Sequence, residues 1–301
     1  MTDYENILLD IDDAVATITL NRPEKLNAMS AGLIADLFGA LRELRHGDDV
    51  RVIRIKSNGR AFCAGYDLTP ERGAFSWKPN QRSGDRAAEL GESRIALDRE
   101  GLRENVERWL WMWSYRKPIV AQVHGYCLAG GGEMIGACDI VFAANDARFG
   151  HPAGRALGVP PITCMWPVKI GMLKTKELLF TGDMIDGAEA ERIGMINRAM
   201  DVDELDEETM AFCRRIAQLP LDMLTIHKHT TNRWFEEAGL RTSAYASGDF
   251  DAIAHEAPSI AEWTRIAKEQ GLKGALAWRD QPFGDGWGAK TPPPLPNPAG
   301  S

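Results

Sequence analysis

The chain has 301 residues, enough for a full core in one large domain or one and a half, and its 44% hydrophobic and 26% charged content is ordinary for a soluble globular protein. A formal net charge of −8 argues against a nucleic-acid surface, and no apolar run approaches the roughly 18–20 residues of a membrane span. The start, MTDYENILLD, is acidic and lacks the basic and apolar parts of a signal peptide, so a cytoplasmic protein is expected. The five cysteines, Cys63, Cys127, Cys138, Cys164 and Cys213, share no metal-type spacing and read as reduced, mostly buried thiols.

Ile7 to Leu20 alternates and breaks at Asp12-Asp13, which predicts a hairpin. Ser30 is a helix N-cap ahead of Leu33, Ile34, Leu37, Phe38, Leu41 and Leu44 at helical spacing. Val52 to Lys56 reads as a strand and Ser57-Asn58-Gly59 as a turn. Thr69 to Asp98, carrying Arg72, Arg82, Arg86 and Arg94, is expected to be irregular: a lid, a binding loop or a disordered insertion. Leu102, Val106, Trp109, Leu110 and Trp113 make an apolar helix face, with Trp109, Trp111 and Trp113 too widely spread for all three to be core. Ile119 to Val123 and Ile140 to Ala143 read as strands, so the first half repeats a strand–turn–helix rhythm typical of α/β architecture. From about Asp203 the pattern is helical, with Met210, Phe212, Ile216 and Leu219 on one helix and Leu224, Ile226 and Trp234 on the next. Gln281 to Ser301 is rich in Gly and Pro and reads as an extended or disordered tail.

Between the two central strands lies Gly125 to Asp139, GYCLAGGGEMIGACD. Gly130, Gly131 and Gly132 have no Cβ, so a ligand can approach their backbone closely. If a helix begins there, its first N–H groups lack internal partners and point outward with the positive end of the dipole. Glu133 follows directly, a carboxylate able to move a proton beside a holder of negative oxygen.

Four segments together resemble the crotonase (enoyl-CoA hydratase/isomerase) superfamily: Leu20–Met29 (LNRPEKLNAM), Gly59–Leu68 (GRAFCAGYDL), Lys117–Pro152 and Leu178–Met200. The match runs from about Tyr4 to Asp280. The resemblance implies an α/β fold, a spiral of ββα units over residues 1–202 with two roughly perpendicular sheets. A helical oligomerisation region would follow over 203–280 and a tail over 281–301. It also implies homotrimers or homohexamers and an acyl-CoA thioester substrate, with coenzyme A part of the substrate and no separate cofactor. By position, the backbone amides of Tyr66 and Gly130 would hold the thioester oxygen as it becomes an enolate, with Glu133 as the acid/base. Arg22, Lys25, Leu26, Ala28, Cys63, Ala64, Asp67 and Leu68 fall on the segments that embrace coenzyme A, and Gly131, Pro152 and Ala153 on the acyl site.

Two preorganised N–H donors in a dry pocket are worth roughly 3–4 kcal/mol each toward an enolate. The family's hydratases usually add a second glutamate shortly after an FGxP sequence, here Phe149-Gly150-His151-Pro152. The next residues are Ala153 and Gly154, so neither register supplies a carboxylate. Glu133 could serve alone with a relaying water, or His151 or Arg155 could fill the vacant space. The reaction could instead be isomerisation, C–C or thioester hydrolysis, decarboxylation or dehalogenation, all found on this scaffold. A catalytically silent acyl-CoA-binding protein is the third reading.

Overall fold

A computed structural model describes residues 3–69, 88, 90–159 and 165–284. Arg72, Arg82, Arg86, Cys164 and most of the proposed tail lie outside the described residues.

The chain opens with β1 (Ile7–Asp12) and β2 (Val15–Leu20), the expected hairpin, paired antiparallel with Asp12 opposite Val15. Helix α1 (Ala31–Glu43) follows its cap: Ser30 accepts a hydrogen bond from the Leu33 amide at 3.2 Å, satisfying one of the donors a helix start leaves open. The apolar stripe buries Leu33, Ile34, Leu37, Phe38 and Leu41 against the sheet. Next come β3 (Val52–Ser57), β4 (Ala61–Cys63) and the long helix α2 (Arg94–Trp113). The pair β5 (Ile119–Val123) and β6 (Tyr126–Leu128) leads into the short helix α3 (Gly130–Gly136). Then β7 (Ile140–Ala144) and β8 (Arg148–Gly150) precede α4 (Trp166–Lys169), α5 (Gly171–Thr181), β9 (Met184–Asp186), α6 (Gly187–Arg192) and β10 (Arg198–Met200). Four helices follow toward the end of the described residues: α7 (Val202–Ile216), α8 (Leu221–Glu237), α9 (Leu240–Ala254) and α10 (Pro258–Asp280).

From β3 on, each consecutive pair of strands splits between two sheets, whereas the β1–β2 hairpin stays in one. The larger has the order β1-β2-β3-β5-β7-β10 and the smaller β4-β6-β8-β9. Thus β3, β5 and β7 are parallel neighbours in one sheet, while their successors β4, β6 and β8 are parallel neighbours in the other. This is the expected ββα repetition. Strands β2, β5 and β7 are apolar and almost wholly buried, as parallel strands covered on both faces must be. The turns that leave β4, β6 and β8 are brought together by the parallel pairing of the smaller sheet, and this convergence builds the site.

Several expectations need correction. Arg94 to Asp98 are helical, and Arg94 is ion-paired to Glu256. The three tryptophans are not all core, as expected: Trp109 and Trp113 are, while Trp111 is half-buried against Phe38 and Tyr115. On α7 the buried residues are Leu205, Thr209 and Cys213, with Met210, Phe212 and Ile216 only half-buried and Leu219 exposed beyond the helix end. On α8 Leu224 is buried, but Ile226 and Trp234 face outward. Gln281 to Phe283, assigned to the tail, form a 3-10 turn that continues from α10. Four cysteines, Cys63, Cys127, Cys138 and Cys213, are buried, as expected. Among the described residues no helix is long and apolar enough to cross a membrane.

Candidate active site

Two loops form the floor of the site. After β4 the chain turns at Gly65, whose φ of +104° favours glycine, and Met29 donates its amide to the Gly65 carbonyl at 2.8 Å. Asp67 returns a bond to the Met29 carbonyl at 3.0 Å, so Tyr66 is held between two pinned neighbours. After β6 the chain turns at Ala129, with φ of 49° and ψ of −116°, and its amide donates to the Gly150 carbonyl at 3.0 Å. Side chains rarely adopt that conformation, so the turn is a strained one held by its surroundings. The two loops touch: a Cβ placed on Gly65 would lie 3.1 Å from Ala129 Cβ and 3.5 Å from the Gly130 nitrogen. One on Gly130 would lie 2.4 Å from Met29 Cε and 2.9 Å from the Tyr66 ring. The glycines are there because backbone and ring leave no room for a side chain. Among the described residues the Gly130 amide has no acceptor. Helix α3 is only seven residues long, so local amides rather than a long helix dipole supply the positive potential at this point.

Glu133, one turn in, is 1% exposed. Its Oε2 accepts the Tyr66 hydroxyl at 2.5 Å. That hydroxyl oxygen in turn accepts Asn105 Nδ2 at 2.6 Å and Trp109 Nε1 at 3.1 Å, both from α2. Burial pushes the Glu133 carboxyl up to about 7, against the opposing pull of the Tyr66 hydroxyl. The negative Asp251 nearby raises it further. A carboxyl poised there exchanges protons in either direction at neutral pH.

These groups line one cavity of about 430 Å3. Of the residues singled out from sequence, Lys25, Ala28, Ala64, Tyr66, Asp67, Leu68, Gly130, Glu133, Pro152 and Ala153 reach its wall. Arg22, Leu26, Cys63 and Gly131 do not. Buried Arg22 instead holds the loop: its guanidinium bonds the Ala28 carbonyl and pairs with Asp67 at 3.0 Å. Leu26 takes a left-handed conformation, φ 52°, and its carbonyl accepts the Ala64 amide. Gly131 packs on Cys63, where a Cβ would meet the Cys63 carbonyl at 2.6 Å. These four therefore shape the wall from behind, because the turns place their side chains or backbone on the core side.

Around the vacant position at Ala153, His151 lines the cavity, while Arg155 does not. Arg155 is bound to the Thr181 carbonyl, Asp183 and Asp280, with its guanidinium over the Phe283 ring, so it fills no substrate space. Asn105, Trp109 Nε1 and the Tyr66 hydroxyl were not foreseen, since a helix stripe reads as core whichever polar edge it carries. Also unforeseen are Asp98, Asp251, His255 and Arg279, which line the cavity from α2 and from the C-terminal helices, His255 immediately after α9. The one local signal was Asp251 and His255 at i, i+4 spacing, which puts both on one helix face.

The sequence family described as enoyl-CoA hydratase/isomerase matches residues 10–262. EchA13 of Mycobacterium tuberculosis, whose enoyl-CoA hydratase name is provisional, is 37% identical over 249 residues, covering 80% of this chain and 76% of the relative. A hydroxycinnamoyl-CoA hydratase-lyase of Pseudomonas fluorescens is 27% identical over 275 residues, covering 90% of this chain and 91% of its own. Among solved structures, an enoyl-CoA hydratase of Mycobacterium smegmatis superposes with a TM-score of 0.84 at 33% identity, covering 94% of this chain and 96% of that one. With the strand pairs split between two sheets, the two touching loops and the buried carboxyl already in place, these matches show that the chain belongs to the enoyl-CoA hydratase/isomerase family of enzymes.

Proposed function

We propose that the protein adds water to, or removes it from, an acyl-CoA thioester through an enolate, with Glu133 as proton carrier. The observation that carries this reading is Glu133 itself, sealed beside the Gly130 and Tyr66 loops with its carboxyl raised to about 7. A thioester drawn into the cavity would set its carbonyl oxygen against the Tyr66 and Gly130 amides. Those dipoles stabilise the enolate as charge moves from the β-carbon side onto that oxygen. Glu133 is then within reach of the α-carbon, to deliver or remove its proton. Lys25 and Asp67, on the cavity wall, and Arg22 behind it belong to the stretch that would hold the coenzyme A portion. The mycobacterial relatives named enoyl-CoA hydratase support the reaction class. The reading includes self-association as a homotrimer or homohexamer, in keeping with the family.

The test is hydration of trans-2-enoyl-CoA esters, followed by loss of the enoyl thioester absorbance. Glu133→Gln is expected to lower turnover by about 10²–10⁴-fold, the usual worth of a general acid/base, with CoA-ester binding retained. Unchanged turnover would remove Glu133 from the chemistry.

A second reading is another reaction of the same enolate, such as isomerisation or C–C bond cleavage. Ala153 favours it, since it reaches the cavity wall with no carboxyl group to offer. Mass analysis of products from branched, cyclic and aromatic acyl-CoA esters separates the two.

A further inference from the structure

Hydration by two carboxyl groups needs one to take a proton from water and one to deliver a proton to the α-carbon. Glu133 is one; Ala153 cannot be the other. The C-terminal helix α9 brings a second carboxyl group into the same cavity. Asp251 lines that cavity and is 3% exposed. Its Oδ1 accepts the Val159 amide at 2.8 Å, and no hydrogen bond to Oδ2 is present among the described residues. His255, one turn on, lies 3.7 Å from Asp251 through Nε2 and is anchored through Nδ1 to Asp98 Oδ2 at 2.7 Å. Asp98 comes from α2, the helix that also supplies Asn105 and Trp109 to the Glu133 group.

A second observation points to a ligand here. His151, 4% exposed, lines the same cavity, and among the described residues neither ring nitrogen is hydrogen-bonded. A buried donor and acceptor left open cost about 1–3 kcal/mol each, so this edge is built for a polar guest such as water or a substrate oxygen. Burial and the charge of Arg279 push His151 down to about 4, so near neutral pH it is an uncharged donor and acceptor.

We infer that Asp251 is the second proton-carrying carboxylate of this enzyme, substituting from the C-terminal helix for the missing acid at Ala153, with His255 and Asp98 as positioning residues. The inference rests on the hydration reading given above. As water's oxygen bonds to the β-carbon, its O–H bond breaks and the proton passes to the Asp251 carboxylate. The π pair moves through the α-carbon onto the thioester oxygen. When the enolate collapses, the protonated Glu133 gives its proton to the α-carbon. A cavity water then returns the proton from Asp251 to Glu133, so the cycle closes with no other reactant.

The protonation states agree with these roles. Burial raises Asp251 to about 6, against the opposing pull of His255, while Glu133 sits at about 7. Burial disfavours charge on His255, but the bond to Asp98 and the charge of Asp251 outweigh it and raise its pKa. Two carboxyls pushed to different values in one cavity take the base and acid roles respectively. The other charged groups on the cavity wall are Lys25, Asp67 and Arg279; Arg279 is held by Asp280.

The experiment compares wild type, Asp251→Asn and Asp251→Glu with crotonyl-CoA and trans-cinnamoyl-CoA. Hydration is followed from about pH 5 to about pH 9, and butyryl-CoA binding checks that each variant is folded. Asn can still accept the Val159 amide. The expected result is a wild-type kcat/KM profile that rises near pH 6 and falls near pH 7. Asp251→Asn should lower kcat about 10²-fold with KM little changed and should lose the rising limb. Asp251→Glu should recover part of the rate and keep that limb. Wild type that hydrates an ester beside an Asp251→Asn enzyme within about threefold, with its rising limb intact, overturns the inference alone. So does loss confined to KM, or loss of rate with the rising limb retained, as a purely structural role would give. Wild type inert toward both esters overturns the hydration reading, and the inference with it.

Discussion

Glu133 is costly to the fold in its ionised state, which the proposed proton transfer requires at least part of the time. Its pKa rises from an ordinary 4.5 to about 7 because burial disfavours the charged form. Below pH 4.5 the folded and unfolded chains both hold the proton, and stability is unaffected. Between 4.5 and about 7 the unfolded chain releases it first, so stability falls as pH rises, by about 3 kcal/mol in total. Glu133→Gln removes this dependence. Relative to wild type it should be more stable by up to that amount at pH 8 and unchanged at pH 4, measured by denaturant unfolding, even as activity is lost. Tyr66 moderates the same group, because its hydroxyl bond favours the ionised carboxylate. Tyr66→Phe should therefore raise the Glu133 pKa and move the falling limb of the pH–rate profile to higher pH. A limb that stays put or moves down would break the link between hydroxyl and carboxyl.

At the scale of elements, the site depends on two turns packed without room for a side chain. Gly130→Ala would drive a methyl into Met29 Cε and the Tyr66 ring, displacing the amides proposed for the enolate. Activity should fall by about 10²-fold or more, the worth of one oxyanion donor, while the fold loses roughly 1–3 kcal/mol from overpacking. Kinetics and unfolding on one preparation give both figures. Away from the site, Ser30→Ala removes the cap of α1 and should cost about 1 kcal/mol with kcat unchanged, since the Leu33 amide loses its acceptor. The turns at Gly65 and Ala129 were only half legible in the sequence. Their glycines mark close approach, but that each loop is the other's obstacle follows from the parallel pairing of β4 with β6. The Tyr66–Asn105–Trp109 cluster shows the same limit. Helical spacing identifies Trp109 as buried, yet it cannot say that the indole N–H is spent on a hydroxyl 43 residues away.

Across the whole molecule, the C-terminal helices face two ways. One face of α9 carries Asp251 into the cavity, while Phe250 and Ile253 on the same helix remain 66% and 58% exposed. Trp234 on α8 is 78% exposed and Ile226 53%. Large apolar side chains grouped on neighbouring helices are costly to leave in water, and a second copy of the chain is the occupant the family expectation supplies. Sedimentation analysis should give a trimer or hexamer, and Trp234→Glu should shift it toward monomer. A wild-type monomer at micromolar concentration would refute the association.

The amino-acid sequence by itself determined the α/β class, the hairpin, the Ser30 cap, strands β3, β5 and β7 and the four segments that mark the family. Those are local matters: period 2 or 3.6 in the apolar residues, an oxygen-bearing side chain at a helix start, glycine where the backbone turns tightly. It also located Glu133, because a carboxylate directly after a glycine run is a short-range pattern. It left a gap at Ala153 and could go no further, since the residue facing that gap need not be near it in the chain. Only the tertiary structure placed Asp251, nearly a hundred positions later, on the wall of the same cavity, with His255 and Asp98 behind it. Burial then set the carboxyls at about 7 and about 6. Desolvation and the field of neighbouring charges depend on where the chain folds back on itself, and a linear sequence does not carry that distance.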